Sequence, residues 1–409
     1  MMKCRSCFEQ LELSWADLRT SPPSNSFLSQ QDLAKPEVYY PLEVKVCQNC
    51  WLAQIDEYKH HAEIFSKNYV YFSSFSKSWL AHAKSYVAQM ILDFPPQKDF
   101  LWIEIASNDG YLLQYVKAVG LPALGIEPTE STAAVSRQNG ILTISEFFGC
   151  SLGKSLAEKG HRADLMTANN VLAHVPNLHD FLGGFCEILK PEGVVTFEFP
   201  HLLNLLELNQ FDTIYHEHFS YLSLTPLVPL FEKIGLKIFR VQEIPTHGGS
   251  LRVFAGLKSS QKKIESSVDQ ILQKEDTHGL RKPEIYKMFQ LKIDQVKNDL
   301  LNWLVSEKRQ GRRVAAYGAA AKGNTLFNYA GVGRDLICAV ADASPYKQNL
   351  YLPGSRIPVV SPDQLQKLNP DSILILPWNI REEIADQLRP FLKPQVQMVV
   401  AIPKLEIFK

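Results

Sequence analysis

Between Phe100 and Phe199 short apolar runs alternate with helical stretches, and that alternation restricts the fold more than any other feature of the chain. The run Phe100-Leu-Trp-Ile-Glu-Ile105 stops at Ser107-Asn108-Asp109-Gly110, where a helical pattern begins. Ala123–Ile126, Ala163–Ala168 and Val194–Phe199 read as further strands with helices between them. Strands that each wait for a helix before the next strand form a parallel sheet, because a parallel neighbour needs a long crossover. Leu236–Gln242 and Leu251–Gly256 then read as an antiparallel pair joined by a loop. The alternation resumes at Val314–Tyr317, Ile337–Ala341, Ser372–Leu376 and Met398–Ile402, which predicts a second, smaller doubly wound α/β domain.

Four zones follow: residues 1–66, residues 67–257 with the first alternation, an amphipathic helical connector over 258–309, and 310–409 with the second. No internal repeat is visible. Lysine plus arginine equals aspartate plus glutamate, at 43 each, so no global basic field argues for nucleic acid or an anionic membrane as partner. The start MMKCRSCFEQ lacks the basic-then-apolar layout of a secretory signal, and no apolar run approaches the ~20 residues of a membrane helix. A cytoplasmic enzyme is the expectation.

Cys4-x-x-Cys7 and Cys47-x-x-Cys50 stand apart from Cys150, Cys186 and Cys338, which lie in apolar or helical contexts. In a reducing compartment, paired C-x-x-C knuckles suggest metal before disulfide. Four thiolates complete a tetrahedral Zn²⁺ shell and leave no open position, so the zinc is expected to be structural. The 39 residues between the pairs require an inserted loop or small sheet. His60 and His61 are alternative ligands that a complete cysteine set makes unnecessary.

Glu104-Ile-Ala-Ser-Asn-Asp-Gly110 follows a strand and opens a helix, which is where an open α/β sheet places a ligand. Gly110 allows a tight turn, and Asn108 and Asp109 offer oxygens to the ammonium of an S-adenosylmethionine. Glu127, in Gly125-Ile-Glu-Pro128, ends the next strand 23 residues after Glu104, where an acid accepts ribose hydroxyls. Taken singly, an ordinary strand-to-helix turn and a solvated acid explain the same residues. The one glycine in 104–110 disfavours the G-x-G-x-x-G of a nicotinamide dinucleotide site. Glu146-Phe147-Phe148 would flank an adenine or pack in the core.

Thr167-Ala-Asn-Asn-Val-Leu-Ala-His174 puts His174 just past a strand end. Further on, Tyr215-His216-Glu217-His218 concentrates four hydrogen-bonding side chains before an apolar helix start. A metal cluster, an exposed polar stretch and an acid–base site are all compatible with the run. Imidazole titrates near neutral pH, and a neighbouring carboxylate can orient it, which favours the last.

The two cysteine pairs, Glu104–Gly110, Asn170–Val175, Glu198-Phe-Pro-His201, Tyr215–Tyr221, His247-Gly-Gly-Ser250 and Gly318–Asn324 occur in the order found in the sugar C-methyltransferase family, which the chain resembles over essentially its whole length. The resemblance implies a class I, Rossmann-like methyltransferase domain flanked by an N-terminal zinc module and a C-terminal Rossmann-like α/β domain. It implies methyl transfer to a carbon beside the ketone, usually C3, of a nucleotide-linked 4-keto-6-deoxysugar. By the same match His218 is the base and Glu217 orients it or binds a sugar hydroxyl. Tyr215 and His174 hydrogen-bond the 4-oxygen, and Tyr69 reaches the site, with Tyr71 close enough to compete for that role. Glu104, Asn108, Asp109, Gly110, Glu127 and Asn170 hold S-adenosylmethionine, and His216 and His247 contact substrate. Phe8 departs from the glycine that often follows the second cysteine of a zinc knuckle.

In Val314-Ala-Ala-Tyr317-Gly318-Ala-Ala-Ala-Lys322-Gly323-Asn324, small residues and a helix N-terminus suit phosphate, and Lys322 adds a cation. Simple strand–helix packing gives the same pattern. The resemblance assigns this edge to the substrate's nucleotide diphosphate, with Asp342 near a ribose or base, while Trp378 stacks on a ligand or packs in the core. Methylation at oxygen or nitrogen, a zinc-containing dehydrogenase and a zinc-stabilised nucleotide-sugar sensor are the competing readings. The first and the last leave the Tyr215–His218 run with less to do. The nucleotide (thymidine or guanosine), C3 against C5, and the oligomeric state are open, a monomer being compatible.

Overall fold

The computed structural model describes residues 2–60, 63 and 72–408. Its first strands are β1 (Leu13–Ser21), β2 (Tyr40–Val46) and β3 (Ala53–Ile55), paired antiparallel in that order. Next come β4 (Trp102–Ile105), β5 (Ala123–Ile126), β6 (Thr143–Ile144), β7 (Ala163–Asn169) and β8 (Leu189–Pro200), then the two-residue β9 (Ser220–Tyr221) and the hairpin β10 (Leu236–Ile244) and β11 (Ser250–Leu257). The last third supplies β12 (Val314–Tyr317), β13 (Val340–Ala341), β14 (Val359–Val360), β15 (Ser372–Ile375), β16 (Gln397–Val400) and β17 (Glu406–Phe408).

Among the described residues these strands make three sheets, ordered β1-β2-β3-β9, β10-β11-β8-β7-β4-β5-β6, and β14-β13-β12-β15-β16-β17. In the second sheet β4 to β8 run parallel and the β10–β11 hairpin closes one edge antiparallel. The chain leaves β4 toward β5 on one side and returns to β7 on the other, so a crevice opens between β4 and β7 at their carboxyl ends. The third sheet repeats this winding around β12 and ends in antiparallel β17. The expected α/β class is therefore found in both alternating zones.

Two local differences have simple causes. The run Ile337–Ala341 narrows to a regular strand at Val340–Ala341, although the Cys338 N–H still donates to Val314 O. The connector is broken into helices at Ser266–Thr277, Pro283–Lys287 and Phe289–Arg309, where Pro283 starts a helix but cannot continue one.

The long connector helix buries Phe289, Ile293, Val296, Leu300, Trp303 and Leu304, a three-and-four spacing that marks one face. That face joins Trp15 and Val44 of the first sheet, Leu203 and Phe211 of the middle region, and Val314 and Leu374 of the third sheet in one apolar cluster. The sheets are thus held together by shared core rather than by linkers alone. Among the described residues, no helix is long and apolar enough to cross a membrane.

Candidate active site

The carboxyl edge of β4 is shaped by backbone that only a few residue types tolerate. Ala106, Asn108 and Gly110 all have positive φ. At Gly110, φ is +82° and an added Cβ would stand 2.4 Å from Ile141 Cδ1, so glycine is required there on both counts. The turn aims its amides at Glu127: the Asn108 N–H donates to one carboxylate oxygen and the Thr129 N–H to the other, each at 2.9 Å. The Ser73 N–H donates to Asn108 Oδ1 at 2.9 Å and the Ser74 N–H to Asp109 Oδ2 at 3.2 Å, so the segment before the helix Lys77–Asp93 roofs the edge.

Among the described residues, three buried carboxylate or amide oxygens on this edge have no partner: Glu104 Oε2, Asp109 Oδ1 and Asn169 Oδ1. Burial, with Asp109 and Glu127 adding repulsion, holds the Glu104 carboxyl well above its usual range. A donor-rich cation would relieve all three. Asn170, also at positive φ, donates its backbone N–H to Glu198 O at 2.7 Å. Phe148 is core, packed on Phe181 and Phe185, while Phe147 is exposed.

Sequence reasoning missed an aromatic and imidazole wall beside this edge. Trp79 stacks on His82 and Tyr111 and meets His247 at 5.1 Å. Buried Glu198 accepts from His82 at 2.8 Å and from Arg252 at 2.6 Å. Burial alone would raise the Glu198 carboxyl, but these two partners win and hold it low. The helical spacing of Trp79 and His82 was the sole signal, and amphipathic helices have it everywhere.

The Tyr215–His218 segment hangs from the first sheet. β9, two residues after His218, pairs with β3, and the 3-10 turn Phe211–Thr213 precedes Tyr215. His218 Nδ1 lies 2.9 Å from Thr213 O and therefore carries the proton. Nε2 is left as acceptor, and the Tyr215 hydroxyl donates to it at 2.9 Å. His174 Nδ1 donates to Glu217 O at 2.7 Å, and the two imidazoles meet edge-on at 4.6 Å between centroids. Burial pushes both rings down, His174 to about 4, while His174 and Lys322 repel added charge on His218.

The expectation that a carboxylate orients His218 is corrected by these contacts: a carbonyl and a phenol do so. Glu217 instead accepts from the backbone and side-chain N–H groups of Asn25 at 3.2 Å, with Oε2 buried and unpartnered. His216 turns to the first sheet, its Nε2 donating to Pro41 O at 3.1 Å. Among the described residues neither histidine of the run joins a group of three metal ligands. Tyr69, Tyr71 and His61 lie outside the described residues.

The third sheet contributes the helix Ala321–Ala330. Its Asn324 Nδ2 donates to Ser24 O at 2.6 Å and its Thr325 hydroxyl to Ile214 O at 2.8 Å, so its first turns face the other two sheets. An added Cβ on Gly323 would meet Leu376 at 2.5 Å, which makes this glycine a packing position. Lys322 Nζ donates to Asn379 Oδ1 at 3.0 Å and lies 4.5 Å from the Trp378 ring centre. Trp378 Nε1 donates to Asp212 Oδ2 at 2.7 Å. Burial raises the Asp212 carboxyl to about 6 against the pull of Lys322.

The four N-terminal cysteine sulfurs converge within 4.8 Å of one another. Tetrahedral zinc with ~2.3 Å Zn–S bonds needs sulfurs roughly 3.8 Å apart, a spacing that Cys4–Cys50 and Cys7–Cys47, each at 3.5 Å, already approach. Each knuckle closes by an N–H donated to the first cysteine's carbonyl, from Phe8 to Cys4 and from Trp51 to Cys47. Phe8 and Trp51 both take positive φ, so the turn forms without the customary glycine.

Comparison with known proteins agrees with this architecture. Family models match at residues 4–65 ("Putative zinc binding domain"), 79–241 ("Methyltransferase domain") and 245–403 ("C-methyltransferase C-terminal domain"). The C-methyltransferase NovU of Streptomyces niveus is 32% identical over 402 residues, covering 98% of this chain and 96% of that protein. The chain belongs to the C-methyltransferase family. Its methyl donor is S-adenosylmethionine and its N-terminal module is zinc-binding. The unpartnered acceptors of Glu104, Asp109 and Asn169 fit the donor's ammonium. Among solved structures, magnesium protoporphyrin IX methyltransferase of Synechocystis is 15% identical with a TM-score of 0.34, covering 43% of this chain and 82% of that one. The plantazolicin methyltransferase BpumL is 13% identical with a TM-score of 0.35, covering 48% and 96%. Values this low leave the family match to rest on sequence.

Proposed function

We propose that this C-methyltransferase acts on C3, alpha to the ketone, of a nucleotide-linked 4-keto-6-deoxysugar in deoxysugar biosynthesis. The carrying observation is a buried, neutral His218 whose tautomer Thr213 fixes with Nε2 as the acceptor. Carbon must lose a proton before it is alkylated, so a C-methyltransferase needs such a base, and a C–H beside a ketone is acidic enough to yield to it. His218 Nε2 takes the proton, and the Tyr215 hydroxyl, displaced from Nε2 by the substrate, turns to the oxygen that gathers the charge; His174, whose single N–H is held by Glu217 O, lines the site instead of donating to that oxygen as the resemblance implied. S-adenosylmethionine, held at the Glu104–Gly110 edge, would supply an electrophilic methyl for the enolate carbon.

On this reading Glu127 accepts the ribose hydroxyls of the donor, and Glu104 and Asp109 face its ammonium. Glu217 binds a sugar hydroxyl, held in place by Asn25. His216, Gly323 and Asn324 support the site from behind, and His247 completes its wall beside Trp79. The test is solvent exchange. In deuterated water with thymidine-diphospho-4-keto-6-deoxyglucose, the protein exchanges the C3 proton, and His218→Ala slows this by about 10²–10⁴-fold. Methyl transfer without any exchange, on oxygen or nitrogen, would overturn the reading.

A further inference from the structure

We propose that Lys322 works at the reacting ketone rather than on the diphosphate: its ammonium holds the 4-oxygen as the enolate forms. This rests on the sugar-ketone reading above. The resemblance of the Gly318–Asn324 stretch to a phosphate loop would place Lys322 on the diphosphate; its contacts place it at the β15 end of that edge, where Trp378 meets the middle region.

That edge already has a cation of its own. Asp342 accepts the N–H groups of Ala319 at 2.7 Å and Ser344 at 2.8 Å, and Lys347 reaches it at 3.6 Å while donating to Ala319 O at 2.9 Å. Lys322 lies on the other side of β12, over the residue through which the third sheet touches the middle region. Trp378 lies under its ammonium, Asn379 accepts from it, and Asp212 anchors Trp378. Asp212 belongs to the turn that leads directly into Tyr215 and His218, and its Oδ1 is buried without a partner. The helix carrying Lys322 is tied to the same turn by Thr325 on Ile214 O and by the Phe211–Tyr329 ring contact at 5.9 Å. The Lys322 charge acts on Asp212, His218 and His247 together.

The chemistry suits that place. As the C3 proton moves to His218 Nε2, its bonding pair becomes the C3–C4 double bond, and the carbonyl π pair moves onto the 4-oxygen. A fixed cation in a half-buried cluster binds that oxygen more strongly as an anion than as a ketone, which lowers the barrier rather than KM. The same cation keeps His218 unprotonated, ready to accept. A lysine on the diphosphate would hold ground state and transition state alike.

The experiment compares wild-type protein with Lys322→Gln and Lys322→Arg, using thymidine-diphospho-4-keto-6-deoxyglucose for turnover and C3 exchange. Thymidine diphosphate alone serves as the binding probe, and S-adenosylhomocysteine binding checks that each variant is folded. Lys322→Gln is expected to lose about 10²–10³-fold in kcat and exchange, with Arg restoring part of it and thymidine diphosphate affinity changing by less than about twofold. The acid limb of kcat/KM should also move to higher pH in Lys322→Gln, because among the described residues the titratable groups His218 then faces are His174, His247, Tyr215 and Tyr221. Weakened thymidine diphosphate binding with intact exchange overturns the proposal in favour of a phosphate clamp. Wild-type turnover in Lys322→Gln overturns it outright. Absence of exchange by the wild type would sink the sugar-ketone reading itself, and Lys322's role with it.

Discussion

Replacing Gly248 with alanine tests how the third sheet is docked onto the methyltransferase region. Gly248 lies between β10 and β11 at φ +87°, and an added Cβ would stand 2.4 Å from Trp378 Cη2 and 2.7 Å from Gln210 Nε2. Left-handed backbone costs an alanine about 1–2 kcal/mol. Forcing the indole and the amide aside costs a further ~1–3 kcal/mol. The Gln210 Nε2 donates to Gly248 O at 2.7 Å, and Trp378 carries the Asp212 hydrogen bond, so neither neighbour moves without losing a contact. Gly311 is the control: its φ is +69° with nothing within 4 Å of an added Cβ, so alanine there meets the backbone cost alone. Equilibrium urea unfolding should find Gly248→Ala destabilised by about 2–5 kcal/mol and Gly311→Ala by about 1–2. Methyl transfer should fall in the first variant alone, since Trp378 lies under Lys322. Equal losses in both, with activity intact, would refute the packing of Trp378 on Gly248.

Because burial lowers the pKa of His218, its free-base form persists below the ordinary histidine range, so the acid limb of kcat/KM should lie below pH ~6.5. A limb centred at or above that value would contradict the desolvated base, and an NMR titration should find His174 protonating near pH 4. Cys47→Ser should lower bound zinc from one ion per chain toward none by elemental analysis. Metal binding of this kind is worth about 10–16 kcal/mol in small zinc modules, so amide protection at Ala53 and Tyr221, paired across β3 and β9, should fall with it. Unchanged protection and activity without metal would separate the zinc from the reaction segment.

Much of the site was legible because its chemistry is local. C-x-x-C spacing aims two sulfurs at one point whatever the rest of the chain does, and the strand-then-turn pattern at Glu104–Gly110 marks a carboxyl edge by itself. Glu127 was legible for the same reason, since a strand end and an acid are neighbours in sequence. Trp79, His82 and Asn25 gave no comparable signal. Trp79 and His82 are ordinary residues of an amphipathic helix until it lies across Glu198, and Asn25 is a turn residue until it meets Glu217, 192 positions away.

The sequence by itself determined which segments become strands and helices, where four sulfurs gather, and which strand ends are open to a ligand, because periodicity and short-range spacing carry that information. Only the tertiary structure decided what orients His218, since the choice between a neighbouring carboxylate and the Thr213 carbonyl depends on how residues 211–221 bend between the first and second sheets. It also decided the direction of Lys322. A side chain on the first turn of a helix can serve either the sheet that precedes it or the surface the helix is pressed against, and this one lies over Trp378, which Asp212 holds.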